Sequence, residues 1–403
     1  MMKPRAWESQ DWKNLNEANQ KALDNFREYL RIPSVHPNID YEPCVKFLKK
    51  LANDVGLEFS VYRNVPKNPV VVLTWIGTEP SLPSILLNSH MDVVPVFEEN
   101  WNYKPFNADV DENGNVYARG SQDAKSFGTQ YAEAIRRLKK EGFKPKRTVH
   151  VSYLPDEETG GIEGMQKFIK SDEFKKLNIG FALDEGSASI NNTLLVYYGE
   201  KRSWKFAVHC SGQAGHGSLL LDDTAGEKIE YILRNMYKFR ATQREKNSND
   251  VVTVNLTMLM GGVQANVIPP KMSLVFDTRS PVADFKHFEA LVLKWCEEAG
   301  KGVEIETYVK DDEAENTKID QSNPYWIALK TAVENLGLNM DTAILSANTD
   351  ARFLRVLGIP TFGFSPSRNT PKRSHNDNEY LNINVFLDGI TIYKDIIAGI
   401  ANV

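Results

Sequence analysis

Carboxylates and histidines fall at the ends of short apolar runs along this chain, where they could hold a metal ion. His90 follows one such run, the neighbours Glu157 and Glu158 follow a second, and Glu185 closes a third. Open α/β sheets place their functional sites at the carboxyl ends of buried strands, so these side chains are expected to meet. Mixed nitrogen and oxygen donors are typical of hydrolytic zinc sites with an open position for water.

The acidic run Asp156, Glu157 and Glu158 is the most informative of these motifs. Adjacent carboxylates at the end of a buried strand raise each other's proton affinity unless a cation neutralises them. A metal ion supplies that compensation, and it lets one acid act as a ligand while its neighbour acts as general base. A solvated acidic turn is the alternative interpretation of this motif taken alone.

Three other positions complete the candidate set. Asp123 stands directly before a predicted helix, and His375 lies in a polar loop before the last helix. Asp92 follows His90 by two residues, and it could accept the second ring N–H of His90 only if the chain bends there. Taken singly, Asp123 also fits a helix N-cap, and His90 with Asp92 fits a solvated strand end.

Length and composition limit the class of protein. The 403 residues suit two domains, and 48 basic against 53 acidic residues give a net charge of -5 with no basic stripe for nucleic acid. No run is long and apolar enough for a membrane span, and Met1–Gln10 lacks the apolar core of a signal peptide. Three scattered cysteines argue against a disulfide framework. We therefore expect a cytoplasmic protein with no membrane or nucleic-acid partner.

Hydrophobic patterns divide the chain into an interrupted domain and an insertion. The first part alternates apolar strands with helices such as Ala124–Gly142, which predicts an α/β sheet with covered faces. The middle contains longer strand-like runs such as Trp204–Cys210, which suit a smaller α+β domain. We predict a catalytic domain over residues 1–198 and 310–403, interrupted by an inserted domain over residues 199–309.

The order of these motifs resembles that of the zinc-dependent M20 family of amidohydrolases and exopeptidases. The resemblance implies a zinc-exopeptidase-like catalytic domain with a mixed central sheet, and an inserted α+β dimerisation (lid) domain with an antiparallel sheet. The stretches that carry it cover almost the whole chain: Ser89–Pro95, Tyr117–Asp123, Pro155–Gly161, Ala182–Gly186, Gly215–Ser218, Gly261–Pro269, Asn348–Asp350 and Gly363–Pro366.

The resemblance also implies a metal centre with two zinc ions per subunit. His90 and Glu185 would complete the coordination of one zinc, and Glu158 and His375 that of the other. Asp123 would bridge the two ions. Members of the family often carry a cis peptide bond after this aspartate.

Catalytic and substrate-binding roles follow from the same resemblance. Glu157 would be the general base and Asp92 would orient His90. His216, in the inserted domain, would donate to the oxyanion in the partner subunit's site of a homodimer. The substrate-binding residues implied in this way are Arg279, whose two-pronged geometry suits a carboxylate, with Asn266 and Thr349.

Similarity over the whole chain is greatest to family members that hydrolyse N-acyl-L-amino acids to a carboxylate and a free L-amino acid. We therefore expect a hydrolase that acts on linear amides. The alternative is a dipeptidase or carboxypeptidase of the same family, since the metal motifs are shared. A non-catalytic binding protein on the same fold is a third hypothesis, and the presence of every expected ligand argues against it.

Overall fold

The computed structural model describes residues 11–246, 248 and 250–403. Met1–Gln10, where the absence of a signal peptide was predicted, lies outside the described residues. Among the helices that are described, none combines the length and the apolar character needed to cross a membrane. Cys44, Cys210 and Cys296 are buried and carry free thiols.

The regular elements follow the predicted patterns closely. The α-helices, in chain order, are α1 Glu17–Leu30, α2 Glu42–Val55, α3 Lys125–Lys140, α4 Met165–Phe168, α5 Asp172–Leu177, α6 Ala225–Glu245, α7 Val282–Glu298, α8 Pro324–Asn335, α9 Ala351–Val356 and α10 Ile383–Ile400. The β-strands are β1 Glu58–Val65, β2 Asn68–Trp75, β3 Ser84–His90, β4 Asp109–Val110, β5 Asn115–Tyr117, β6 Val149–Leu154, β7 Ile179–Glu185, β8 Thr193–Glu200, β9 Arg202–Ser211, β10 Gly215–His216, β11 Thr253–Gly261, β12 Val267–Ile268, β13 Lys271–Ser280, β14 Val303–Lys310, β15 Asn339–Leu345, β16 Thr361–Ser365 and β17 Tyr380–Asn382.

The chain divides into two compact units. The first comprises the residues up to Tyr198 together with Thr317–Ala343 and Thr349–Val403. The second comprises Gly199–Asn316 and Ile344–Asn348. The short return segment 344–348 had no signal in the sequence, because it begins with the last two residues of β15, a strand that starts in the first unit.

The first unit is built on a mixed sheet in the order β1-β2-β6-β3-β7-β16-β8-β15. The central strands β6, β3, β7 and β16 run parallel to one another. Strands β2 and β8 flank them in antiparallel pairing. The predicted mixed α/β sheet is thus confirmed.

Both faces of this sheet are covered, which explains why its central strands β3, β6 and β16 are buried at every residue rather than at alternate ones. Along β2, Val71 and Leu73 pack into one core with α1, α2, α3, α8 and α10. Val70 and Val72, which point the other way, pack into a second core with α4, α5 and α9. Burial on both sides fixes the strand ends, and with them the residues that follow.

Helix α3 is held very close to the sheet at its first turns. A side chain on Gly128 would lie 2.3 Å from Tyr153 Cε1, so only glycine permits this approach. The Tyr153 hydroxyl donates to the Gly128 carbonyl oxygen at 2.8 Å. The residue that caps α3 is Ala124, which makes no side-chain cap hydrogen bond. Asp123, one residue earlier, is therefore not used as a helix cap.

A small sheet in the order β17-β5-β4 joins the end of the chain to the segment before Asp123. Tyr380 pairs with Tyr117, and the Ala118 N–H donates to the Glu379 carbonyl oxygen at 3.1 Å. This pairing brings the loop that carries His375 beside the loop that carries Asp123.

The second unit contains the antiparallel sheet β11-β13-β9-β14, as predicted for the insertion. Helices α6 and α7 bury Trp204, Phe206 and Phe276 of this sheet in a core of their own. Helix α6 begins with a capping box in which Thr224 and Glu227 bond each other's backbone N–H. Strands β10 and β12 form a separate two-stranded ladder.

Candidate metal centre

The candidate site lies where the parallel strands of the first unit end. His90 is the last residue of β3 and pairs in register with Leu154 at the end of β6. The chain after Leu154 turns through Pro155 and Asp156 into a short 3-10 turn that carries Glu157 and Glu158. Glu185 is the last residue of β7, which neighbours β3 on its other side. The register of three strands thus collects these side chains at one edge.

One group of three donors consists of His90, Asp123 and Glu185, whose nearest ligand atoms all lie within 4.8 Å of one another. His90 Nε2 is 3.1 Å from Asp123 Oδ1 and 3.6 Å from Glu185 Oε2. The ring of His90 is buried. One nitrogen and two carboxylate oxygens converge at this point, which is a set that suits a divalent cation.

A second group consists of Asp123, Glu158 and His375, again with ligand atoms within 4.8 Å of one another. His375 Nε2 lies 2.9 Å from Glu158 Oε2 and 3.2 Å from Asp123 Oδ2. The side chain of His375 is 54% exposed and that of Glu158 is 4% exposed. Asp123 belongs to both groups and offers a different oxygen to each histidine, which is the arrangement of a bridging ligand. Its peptide bond to Ala124 is cis, as the family resemblance implied.

Asp92 contacts the candidate ligand His90 and the turn of Glu157 and Glu158. The Nδ1 atom of His90 lies 2.9 Å from the Asp92 carbonyl oxygen and 3.5 Å from Asp92 Oδ1. The Asp92 carboxylate also accepts the backbone N–H groups of Glu157 at 3.3 Å and Glu158 at 3.0 Å. One buried residue therefore contacts the ring of His90 and holds the turn that carries Glu157 and Glu158, the position expected of an acid behind a metal ligand.

Sequence reasoning missed His36, which lies after α1 and donates from Nε2 to Asp92 Oδ2 at 2.8 Å. Its hydrogen bond to Asp92 raises the pKa of His36. Although burial opposes it, hydrogen bonds from His36 and His90 hold the pKa of Asp92 well below its usual range. The sequence signal was weak, because His36 is an isolated histidine before a proline.

The close packing of acids and histidines in the site shifts their pKa values. Burial, reinforced by the charge of Glu185, raises the pKa of Glu157 well above its usual range. Burial and then the charge of Asp123 raise the pKa of Glu158. Hydrogen bonds to Asp123 and Glu158 raise the pKa of His375 to about 10. Metal ligands must be deprotonated, so a cation bound by these groups would displace protons from them.

Three of the predicted site residues, His216, Asn266 and Arg279, belong to the second unit. His216 is exposed on β10, and its Nδ1 is 2.8 Å from Ser218 Oγ. The Asn266 carbonyl oxygen accepts the N–H of Gly217 at 2.8 Å, so Asn266 lies beside the His216 loop. Arg279 lies on β13, where its Nε donates to Asp277 Oδ1 at 3.0 Å.

Thr349 belongs to the first unit and is almost fully buried. Its hydroxyl donates to Asp184 Oδ2 at 3.3 Å, and Asn88 donates to the other Asp184 oxygen at 3.0 Å. Asp184 precedes Glu185 and accepts its N–H at 2.9 Å. Thr349 and Asn88 therefore fix the backbone next to a candidate ligand.

Comparison with known proteins gives a consistent family assignment. The model of peptidase family M20/M25/M40 matches residues 86–399. The chain is 44% identical to aminoacylase-1 of Mus musculus over 395 residues, which cover 96% of this chain and 97% of that protein. It is 42% identical to aminoacylase-1 of Homo sapiens over the same shares of the two chains.

Solved structures agree in fold. Aminopeptidase PepT of Bacillus cereus superposes with a TM-score of 0.74 at 18% identity, covering 95% of this chain and 99% of that one. The YXEP protein of Bacillus subtilis, described as a dinuclear metal-binding peptidase of the M20 family, superposes with a TM-score of 0.70 at 17% identity. That superposition covers 95% of this chain and 98% of that one.

Proposed function

The chain belongs to peptidase family M20/M25/M40, and we propose on that basis that it hydrolyses N-acyl-L-amino acids to a carboxylate and a free L-amino acid. The observation that carries this proposal is the 44% identity to an aminoacylase over 96% of the chain. Both ligand groups are assembled in the first unit, which supports a catalytic protein over a binding protein that lost its chemistry.

The donor set fits a pair of divalent ions, for which we propose zinc. Two histidines and three carboxylates supply the mixed donors that zinc favours, and Asp123 is shared between the groups. The Oε1 atom of Glu158 is buried without a hydrogen-bond partner among the described residues, which is costly unless a cation meets it. When bound, such ions would lower the pKa of a water molecule and draw electron density from the amide carbonyl.

Glu157 is proposed as the general base. Its Oε2 lies 3.9 Å from His90 Nε2, so it borders the ligands without belonging to either group. A carboxylate beside the ligands can take a proton from water and then release it. Glu157 removes a proton from the attacking water as the new C–O bond forms. It returns that proton to the amine nitrogen as the C–N bond breaks.

We propose that residues of the second unit complete substrate recognition in a homodimer. His216 Nδ1 engages Ser218, so Nε2 is the ring atom left to donate to the oxyanion. Arg279, ordered by Asp277, is proposed to bind the substrate carboxylate in a bidentate manner. Asn266 and Thr349 complete the proposed substrate-binding set. The homodimer is proposed to form through the second unit.

A cytoplasmic location is also part of the proposal. Three free, buried cysteines suit a reducing compartment. Fractionation of cells that express the full-length chain tests it, and recovery of the protein in a secreted or membrane fraction would contradict it.

A dipeptidase or carboxypeptidase would use the same metal centre, so a comparison of turnover between the two substrate classes decides between the activities. The experiment compares kcat/KM of the zinc-loaded protein for N-acetyl-L-methionine and for simple dipeptides that contain methionine. We expect faster turnover of the N-acetyl substrate, and no turnover after chelation of the metal. Faster hydrolysis of the dipeptides would reject the aminoacylase assignment while leaving the metal centre in place.

A further inference from the structure

We infer that Glu379 is a positioning residue that fixes Asp123 relative to His375 and thereby sets the metal affinity of the centre. This inference rests on the proposed metal centre and adds a residue outside both ligand groups. Glu379 lies four residues after His375, in the same polar loop, and its side chain is fully buried.

The carboxylate of Glu379 is surrounded by donors from the loop that carries Asp123. Its Oε2 accepts from Arg119 Nη1 at 2.8 Å and from the Gly120 N–H at 3.0 Å. Its Oε1 accepts from the N–H of Gln122 at 2.6 Å and from that of Asp123 at 3.2 Å. The Ser121 hydroxyl also donates to Oε1, at 3.5 Å. A carboxylate accepts from all of these donors, whereas an amide would turn an NH₂ group toward the donors on one side.

Other contacts tie the His375 segment to the same loop. Gln122 Nε2 donates to the carbonyl oxygens of Tyr380 at 2.8 Å and Pro371 at 3.0 Å. The Arg373 N–H donates to Gln122 Oε1 at 2.9 Å. These bonds bracket His375 on both sides, and Glu379, paired with Arg119, is the acid of the network.

The backbone at His375 shows why such support is needed. Its φ of 64° lies in the left-handed region, which a residue other than glycine keeps only when its surroundings hold it there. His375 Nε2 and Asp123 Oδ2 are 3.2 Å apart, and both loops must stay in place to keep that distance. Partners behind metal ligands commonly set affinity by fixing ligand orientation.

The test measures metal binding by the full-length chain without substrate. Metal-free wild type, Glu379→Gln and a control variant are titrated with Zn²⁺ in competition with a coloured chelator. Co²⁺ loading then gives a visible absorption spectrum that reports ligand geometry. The control is Asp388→Asn, which breaks another buried ion pair, the 2.8 Å contact between Arg368 Nη2 and Asp388 Oδ2. Thermal unfolding of the metal-free proteins reports stability.

We expect Glu379→Gln to weaken binding of at least one ion by about 10- to 100-fold and to change the Co²⁺ spectrum. Asp388→Asn should lower the melting temperature while keeping wild-type affinity. A folded Glu379→Gln with wild-type affinity and spectrum would overturn the inference. If that variant does not fold, Glu379→Asp carries the test. Its shorter side chain cannot reach all the donors of the Asp123 loop, so the variant protein should bind metal less tightly than wild type, and unchanged affinity would overturn the inference.

The outcome is separable from that of the proposed function. A protein that binds two metal ions but does not cleave N-acyl-L-amino acids would reject the activity and leave the role of Glu379 intact. If the wild type cleaves N-acyl-L-amino acids and Glu379→Gln keeps wild-type metal affinity, the proposed activity stands and the role of Glu379 is rejected.

Discussion

His36 Nε2 lies 2.8 Å from Asp92 Oδ2, so a histidine that follows α1 donates to an acid that also contacts His90, the candidate metal ligand on β3. The bond joins two segments far apart in the sequence. It gives Asp92 Oδ2 a second donor beside the Glu158 N–H, while Asp92 Oδ1 accepts the Glu157 N–H.

Removing this donor should weaken catalysis. In His36→Ala, Asp92 loses one of its two histidine partners, and the ring of His90 should become less well fixed. We expect kcat to fall by about 10- to 100-fold with little change in KM. His36→Gln, whose amide can still donate to Asp92, should recover most of the loss.

Steady-state kinetics and metal analysis check this prediction. His287→Ala, which removes an exposed histidine on α7, is the matched control and should behave as wild type. Equal kcat values for His36→Ala and the control would show that the hydrogen bond from His36 to Asp92 does not support catalysis.

Glu157→Gln should separate chemistry from metal binding. The variant keeps the shape of the side chain but cannot accept the proton of the attacking water. Loss of a general base costs about 10²–10⁴-fold in kcat. Metal content should stay at the wild-type level, because Glu157 lies outside both ligand groups.

Glu163→Gln is a suitable control, since Glu163 is exposed and follows the same turn. Metal analysis of purified variants and turnover of N-acetyl-L-methionine give the two readouts. Wild-type turnover in Glu157→Gln would show that Glu157 is not the general base.

Buried His150 on β6 predicts a pH dependence of stability. Burial lowers its pKa to about 4, while Thr74 Oγ1 lies 2.8 Å from its Nδ1. The unfolded chain takes up a proton near pH 6.5, whereas the folded protein resists protonation until about pH 4. Above pH 6.5 His150 is neutral in both the folded and the unfolded chain, so it does not change the free energy of unfolding. As the pH falls from 6.5 through 4, protonation of the unfolded chain lowers the free energy of unfolding.

At pH 5 the loss amounts to about 2 kcal/mol in the free energy of unfolding. Urea denaturation of the metal-free protein at pH 7 and pH 5 measures it, with His150→Asn as the non-titrating reference. The wild type should lose about 2 kcal/mol more than the variant between the two pH values. Equal losses would mean that His150 is protonated in the folded state.

Complementation between subunits should occur if His216 acts in the partner subunit's site. His216→Ala and Glu157→Gln chains are each expected to be inactive as homodimers. A mixed dimer contains one site with both residues intact, so partial activity should return after subunit exchange. Sedimentation confirms the dimer, and absence of recovery in verified mixed dimers would favour sites completed within one chain.

The sequence by itself determined the elements and the positions of most donors. Continuous apolar runs predicted buried strands, and strand ends in an open α/β sheet are where side chains converge. His90 and Glu185 close β3 and β7, and Glu157 follows β6. These positions could be predicted from the local pattern alone, because an apolar run that gives way to polar residues marks the end of a buried strand in the sequence.

Tertiary structure decided which loops meet and what supports them. His375 reaches Asp123 because β17 pairs with β5, and that pairing has no local signature. Glu379 and His36 likewise act on segments distant in the sequence. Their chemistry depends on hydrogen bonds to backbone groups and to one buried acid. Such contacts exist only once the chain has folded, so residue type and spacing could not reveal them.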